Sequence, residues 1–257
     1  MAVRTFKLGR NPRIYNADVA QFSTLTAGAE LPPPPPAVDY TAGMPEAPDG
    51  FGVMMNDRIG DCACAAFYHA RQIWTFHATG KTEILPDNDV VILYEKSCGY
   101  SLYRPDIDPG GTEQHVLAYI QNHGAPIGLD GAPNVKIRGF AEVDCKRIDD
   151  VKRAIYHCGV AYIGFNVPAN ILPKNDVPPR TWSVAPGSPP IIGGHAVVLP
   201  GYDADGAIVI SWGQTYKMTW EFFTTYADEA YAITDATWAN STFARERKLS
   251  LLDEHFA

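Results

Sequence analysis

The sequence predicts a mixed α+β fold in which helices and strands are segregated along the chain. Apolar residues recur at helical spacing between about residues 61 and 125, whereas strand-like apolar runs dominate from Val160 onward. The length of 257 residues, with 46% hydrophobic and 19% charged, is enough to bury a full core in one domain of two lobes or in two small domains.

Residues 1–50 read as an extended Pro-rich arm. They carry five consecutive prolines at 32–36, then Pro45 and Pro48, and few periodic apolar positions. Such a run fixes an extended conformation without backbone donors. From Asp61, a good N-cap, the pattern turns helical, with Ala66, Ala70, Ile73 and Trp74 on one face. A second helix follows Pro86-Asp87 and turns Val90, Leu93 and Tyr94 inward. A third follows Gly110-Gly111-Thr112, with Val116, Leu117 and Ile120 on one face and Gly124 as its stop.

In the second half, Asp149 is read as the cap of a helix that ends at Gly159, and a buried strand follows at 160–167. Beyond a Pro-rich loop (173–190), strands at 195–199 and 207–212 form a hairpin turned by Asp203-Ala204-Asp205-Gly206. A short helix near 220–226 and a strand near 229–233 close the domain. The expected organisation is thus an arm (1–50), a domain (51–235) whose helical lobe gives way to a β lobe near residue 131, and a C-terminal tail (236–257).

Composition narrows the function. A formal charge of −8 and a pI near 5.3 disfavour nucleic-acid and anionic-membrane partners, which select a basic face. The run Arg245-Glu246-Arg247-Lys248 is interrupted by an acid and reads as a solvated surface. No apolar stretch approaches the roughly 18 residues of a membrane span. The first 22 residues carry Arg4, Lys7, Arg10 and Arg13 but no apolar signal region, so a cytoplasmic location is expected, or incorporation in a particle. Five cysteines without a CxxC pair fit reduced thiols, with neither a metal site nor a cofactor expected.

Two residues stand out chemically. Cys62 directly follows the cap Asp61, and a thiol at a helix N-terminus is biased towards thiolate by the helix dipole. Cys64 lies about 200° further round the same helix. His195 opens a buried strand in Gly193-Gly194-His195-Ala196-Val197-Val198. Taken separately, each has an ordinary structural explanation as a small core thiol or a core imidazole. The other histidines have weaker cases: His69 and His77 lie on the first helix, His115, His123 and His157 on helix surfaces, and His255 in the tail.

Together these segments resemble the papain-like cysteine peptidases. Asn56 stands six residues before Cys62, where that family has an amide, and Gly60-Asp61-Cys62 matches its Gly-x-Cys at the start of the central helix. Gly110-Gly111 before a helix, the helix and strand over 149–167, and the segment from His195 through Ser211-Trp212-Gly213 follow in the family's order. The chain as a whole also resembles uncharacterised proteins of phage and prophage genomes, which would place it in a virion. The resemblance implies a papain-like two-lobed fold, with Cys62 as nucleophile, His195 as its base and Asn56 beside the oxyanion. One departure is Ile210, where the family has the Asn that orients the histidine. An ungapped count from His195 lands instead on Ser211, but strand parity with Trp212 favours Ile210.

Two functions follow: a cysteine hydrolase acting on peptide or isopeptide bonds, or an idle papain-fold scaffold docked through its arm. Tyr15, Phe22, Leu25 and Leu31 are separated apolar anchors along that arm. It is therefore expected to dock on a neighbouring subunit or another protein rather than to cross the Cys62–His195 cleft of its own chain.

Overall fold

The computed structural model describes residues 6–44, 50–83, 85–128, 132–172 and 177–246. Arg4, Pro45, Pro48, Pro173 and residues 247–257 of the readings above lie outside them. The arm supplies α1 (Phe22–Leu25) and β1 (Val38–Asp39). An extended segment must find partners for its backbone groups, and here its own domain provides them. Val38 and Asp39 pair with Tyr202 and Gly201, Tyr40 N–H donates to Pro200 O at 3.0 Å, and Tyr202 Oη donates to Pro35 O at 2.9 Å. Phe22 and Tyr40 are buried in the main core, and Leu25 and Leu31 pack against it. Of the four expected anchors only Tyr15 stays exposed.

Three helices follow where expected: α2 (Cys62–Thr79), α3 (Asp87–Cys98) and α4 (Glu113–His123). Each ends at a glycine (Gly80, Gly99, Gly124) whose N–H donates to the carbonyl four residues back. α2 is buried on all sides from Cys62 to Thr75, as a central helix must be. Asp61 is its N-cap residue, but its side chain makes no capping bond. The carboxylate accepts instead from Asn56 Nδ2 at 3.1 Å.

The second half builds β2 (Ile137–Glu142), α5 (Ile148–Cys158), β3 (Ala161–Pro168), β4 (Thr181–Trp182), β5 (Ile191–Tyr202), β6 (Gly206–Ser211), β7 (Gln214–Thr219), α6 (Trp220–Tyr226) and β8 (Ala227–Asp235). The strands form one sheet in the order β2-β8-β3-β5-β6-β7-β4, with β1 beside β5; among the described strands β4 and β7 pair in parallel and the others antiparallel. Arg147 rather than Asp149 is the N-cap residue of α5. β2 and β7 escape a reading by periodicity because polar or glycine residues interrupt both. The tail contributes α7 (Ala236–Ala239) and α8 (Thr242–Glu246), with Trp238 fully buried and its Nε1 donating to His157 O at 2.7 Å.

α2 packs on β5. Tyr162 Oη on β3 donates to Ala63 O at 2.6 Å, and Arg71 on α2 pairs with the Asp235 carboxylate at the end of β8. These ties hold the first turn of α2 against the middle of the sheet, which brings Cys62 to the strand carrying His195.

Candidate active site

Cys62 and His195 line one cavity of about 10 Å³, room for roughly a single water molecule. Both are almost fully buried. Burial pushes the Cys62 thiol up to about 12, with hydrogen bonding from the Ala196 and Gly9 backbone acting in the opposite sense. Burial likewise pushes the His195 imidazole down to about 3, helped by the neighbouring His69. In this closed state the pair is neutral thiol and neutral imidazole. Each shift has desolvation as its leading cause, so each relaxes when water enters.

His195 Nε2 lies 2.8 Å from Ser211 Oγ, and Nδ1 is buried with no hydrogen-bond partner among the described residues. With Nε2–H donating to Ser211, Nδ1 keeps a lone pair, the form a general base requires. Trp212 covers the ring, its centroid 4.5 Å away and its plane 16° from parallel. Ser211 is thus the polar group that holds the ring, at the position the ungapped count gave rather than at the Ile210 that strand parity favoured. The parity argument failed because β6 ends at Ser211 and Trp212 has left-handed backbone (φ 47°). Trp212 therefore does not continue the strand's alternation. Ile210 is fully buried opposite Val198.

Asn56 lines the same cavity. Its Nδ2 donates to Asp61 Oδ1 at 3.1 Å and, more weakly, to Ile59 O at 3.3 Å. The amide therefore lies beside Cys62 with its nitrogen engaged by two acceptors. Burial raises the Asp61 carboxyl well above its usual range, against the Asn56 hydrogen bond.

His69 also borders the cavity, a position sequence reasoning passed over. It lies seven residues, close to two helical turns, beyond Cys62, and that spacing on one face was the available signal. Its Nε2 contacts Gly52 O at 3.1 Å, which ties the loop carrying Asn56 to α2. Cys64 points away, its sulfur 3.7 Å from Ser97 Oγ.

The arm crosses this site. Lys7 N–H donates to Asn56 O at 2.9 Å, Gly111 N–H to Gly9 O at 2.8 Å, Arg10 N–H to Gly194 O at 3.1 Å and Asn11 N–H to Gly111 O at 2.9 Å. Residues 7–11 therefore bridge the glycine pairs of both lobes. Phe6 packs on Trp212, ring centroids 4.8 Å apart. At Gly9 the fit is tightest: a Cβ there would lie 1.9 Å from Gly60 O. The expectation that the arm leaves its own cleft free is corrected. Gly9 and the backbone groups of its neighbours match the cleft glycines, a complementarity that spacing along the chain does not reveal.

No protein-family model matches the sequence, and no curated protein matches it. Solved structures do. Xylellain, a cysteine protease from Xylella fastidiosa, is similar over 91% of this chain and 98% of its own, at 17% identity and a TM-score of 0.64. Digestive procathepsin L 3 of the Tenebrio molitor larval midgut is similar over 90% of this chain and 76% of its own, at 12% identity and a TM-score of 0.55. The Carica candamarcensis cysteine protease CMS1MS2 is similar over 78% of this chain and 98% of its own, at 16% identity and a TM-score of 0.52. The fold is that of the papain-like cysteine proteases.

Proposed function

We propose that the chain is a cysteine hydrolase of peptide or isopeptide bonds, kept latent by residues 6–11 of its own arm. The observation that carries the reading is the shared cavity of Cys62 and His195, with Ser211 holding Nε2 and leaving Nδ1 free as a base. When the arm withdraws, water relieves the desolvation that keeps both groups neutral. Cys62 then yields its proton to His195, and the sulfur attacks the substrate carbonyl carbon. His195 returns the proton to the departing amine, and water hydrolyses the thioester to regenerate the thiol. Asn56 and the Cys62 backbone N–H receive the oxyanion.

The alternative, an idle papain-fold scaffold such as a component of a phage particle, keeps the arm in its favour but not Ile210, because Ser211 hydrogen-bonds the imidazole. The test uses the full-length chain carrying Gly9→Ala, which displaces the arm from Gly60. Hydrolysis of a mixed fluorogenic peptide library is expected for this variant and is expected to vanish when Cys62→Ala is added. No hydrolysis by the folded Gly9→Ala chain, or hydrolysis that survives Cys62→Ala, would overturn the assignment.

A further inference from the structure

Arg10 is the residue of the arm most deeply engaged beside the catalytic pair. Its backbone N–H bonds Gly194 O, one residue before His195, and its side chain is 1% exposed. The guanidinium meets three carboxylates. Nε donates to Glu229 Oε1 at 2.7 Å, one Nη donates to Asp228 and, at 2.5 Å, to Glu229 Oε1, and Glu113 Oε1 lies 3.5 Å from Nε.

The chamber is built to hold that group. Tyr231 Oη donates to Glu229 Oε2 at 2.7 Å, and Asn166 Nδ2 donates to Asp228 Oδ2 at 3.1 Å, so both acids are fixed from behind. Gly164 leaves the space open, since a Cβ there would lie 2.2 Å from Glu113 Oε1 and 2.3 Å from Arg10 Nε. Glu113 is fully buried, and neither of its oxygens accepts a hydrogen bond among the described residues. Opening the cleft removes Arg10 and leaves this carboxylate cluster without its cation. Three carboxyl groups then face one space and repel one another, so a replacement cation is favoured at that position.

We propose that the chamber bounded by Glu113, Gly164, Asp228 and Glu229 is a specificity subsite for an arginine or lysine side chain of the substrate, which Arg10 occupies in the closed state. The inference rests on the hydrolase reading and names its substrate class: peptides with a basic residue beside the scissile bond. Shape and charge both contribute. A planar guanidinium matches the forked carboxylates better than an ammonium does, so arginine is preferred over lysine. An uncharged aliphatic side chain leaves the carboxylates unpaired.

Two measurements on the full-length Gly9→Ala chain test this. In a positional-scanning fluorogenic library, arginine is expected to be favoured at least 10-fold over leucine at one position. Adding Glu229→Gln, which keeps the amide within reach of Tyr231, is expected to cut that arginine-over-leucine preference at least 10-fold. Flat selection at every position, or a preference unchanged by Glu229→Gln, would overturn the subsite. The second measurement does not need catalysis: a fluorescent peptide of the sequence of residues 6–13 is titrated in trans and read by anisotropy. Its affinity is expected to fall at least 10-fold when the arginine matching Arg10 is replaced by glutamine. Equal affinities, or no binding of either peptide, would overturn the subsite as well. Arginine-dependent binding without any cleavage would uphold the subsite and refute the hydrolase assignment alone.

Discussion

The Gly9→Ala substitution tests latency through a contact whose geometry sets the size of the effect. The added Cβ would lie 1.9 Å from Gly60 O, well inside the 3.0 Å that real Cβ contacts respect. Gly60 is in no position to yield, because its N–H donates to Asp108 Oδ2 at 2.8 Å and Asp108 Oδ1 accepts from Tyr94 Oη at 2.5 Å. The arm must therefore retreat by at least roughly 1 Å, the shortfall from the shortest contact that real Cβ atoms make. That retreat stretches the bonds of Lys7 N–H to Asn56, Gly111 N–H to Gly9 and Asn11 N–H to Gly111, now 2.8–2.9 Å, beyond bonding range. Three lost hydrogen bonds at about 1 kcal/mol each weaken docking by about 3 kcal/mol, a roughly 100-fold rise in the open fraction. The arm's anchors at Phe22 and Tyr40 are untouched, so the fold is expected to persist. Timed iodoacetamide alkylation followed by peptide mass spectrometry measures the outcome at Cys62. An alkylation rate within about 3-fold of wild type, in a variant with an unchanged melting temperature, would refute the idea that residues 6–11 cap the thiol.

Three further outcomes are expected. In the wild-type chain near neutral pH, alkylation should reach Cys98 before Cys62, because Cys98 is half-buried and its hydrogen bond with Cys64 lowers its thiol, whereas Cys62 is sealed; earlier labelling of Cys62 would contradict the closed site. Ser211→Ala in the Gly9→Ala background should lower kcat about 10- to 100-fold with little change in KM, from one buried hydrogen bond to the imidazole. Ser211→Thr should restore most of that activity, while Ile210→Asn should only destabilise the core; a rate gain from Ile210→Asn would put the orienting role back at that strand position. Burial lowers the His69 imidazole to about 4, below its unfolded value near 6.5, so its contribution to stability is full above pH 6.5 and is lost as pH falls towards 4. The carboxyls of Asp61, Glu113 and Glu229 are raised, chiefly by burial, and act in the opposite direction. Comparing denaturant unfolding of wild type and His69→Gln cancels them: the gap between the two should narrow by about 3 kcal/mol from pH 7 to pH 4. A constant gap would refute the depressed imidazole.

Where a residue's role depends on local periodicity, the sequence displayed it. The boundaries of α2, α3 and α4 coincide with their caps and glycine stops, and Cys62 opens α2 because the polar stretch before it cannot continue a buried helix. Where the role depends on a contact across the fold, it stayed hidden. The left-handed turn at Trp212 cancels a parity argument that is sound inside a strand. Arg10, Glu113, Gly164 and Glu229 stand in four separate segments, and nothing in their spacing announces that a glycine on β3 makes room for a guanidinium from the arm. The arm read as a segment for a neighbouring subunit because its prolines suppress periodicity, although Phe22 and Tyr40 belong to the core of its own domain.

Those two anchors also determine what kind of closure this is. Residues 6–11 are joined to Phe22 and Tyr40 through a stretch in which Ile14 to Asp18 are all exposed. While the chain is intact, a displaced segment stays at high local concentration and re-docks unimolecularly, so exposure of Cys62 follows a reversible equilibrium. A single break in the exposed stretch abolishes that tether. The short peptide then dissociates into bulk solution, rebinding becomes bimolecular and dilution-sensitive, and an adjustable balance turns into a one-way transition.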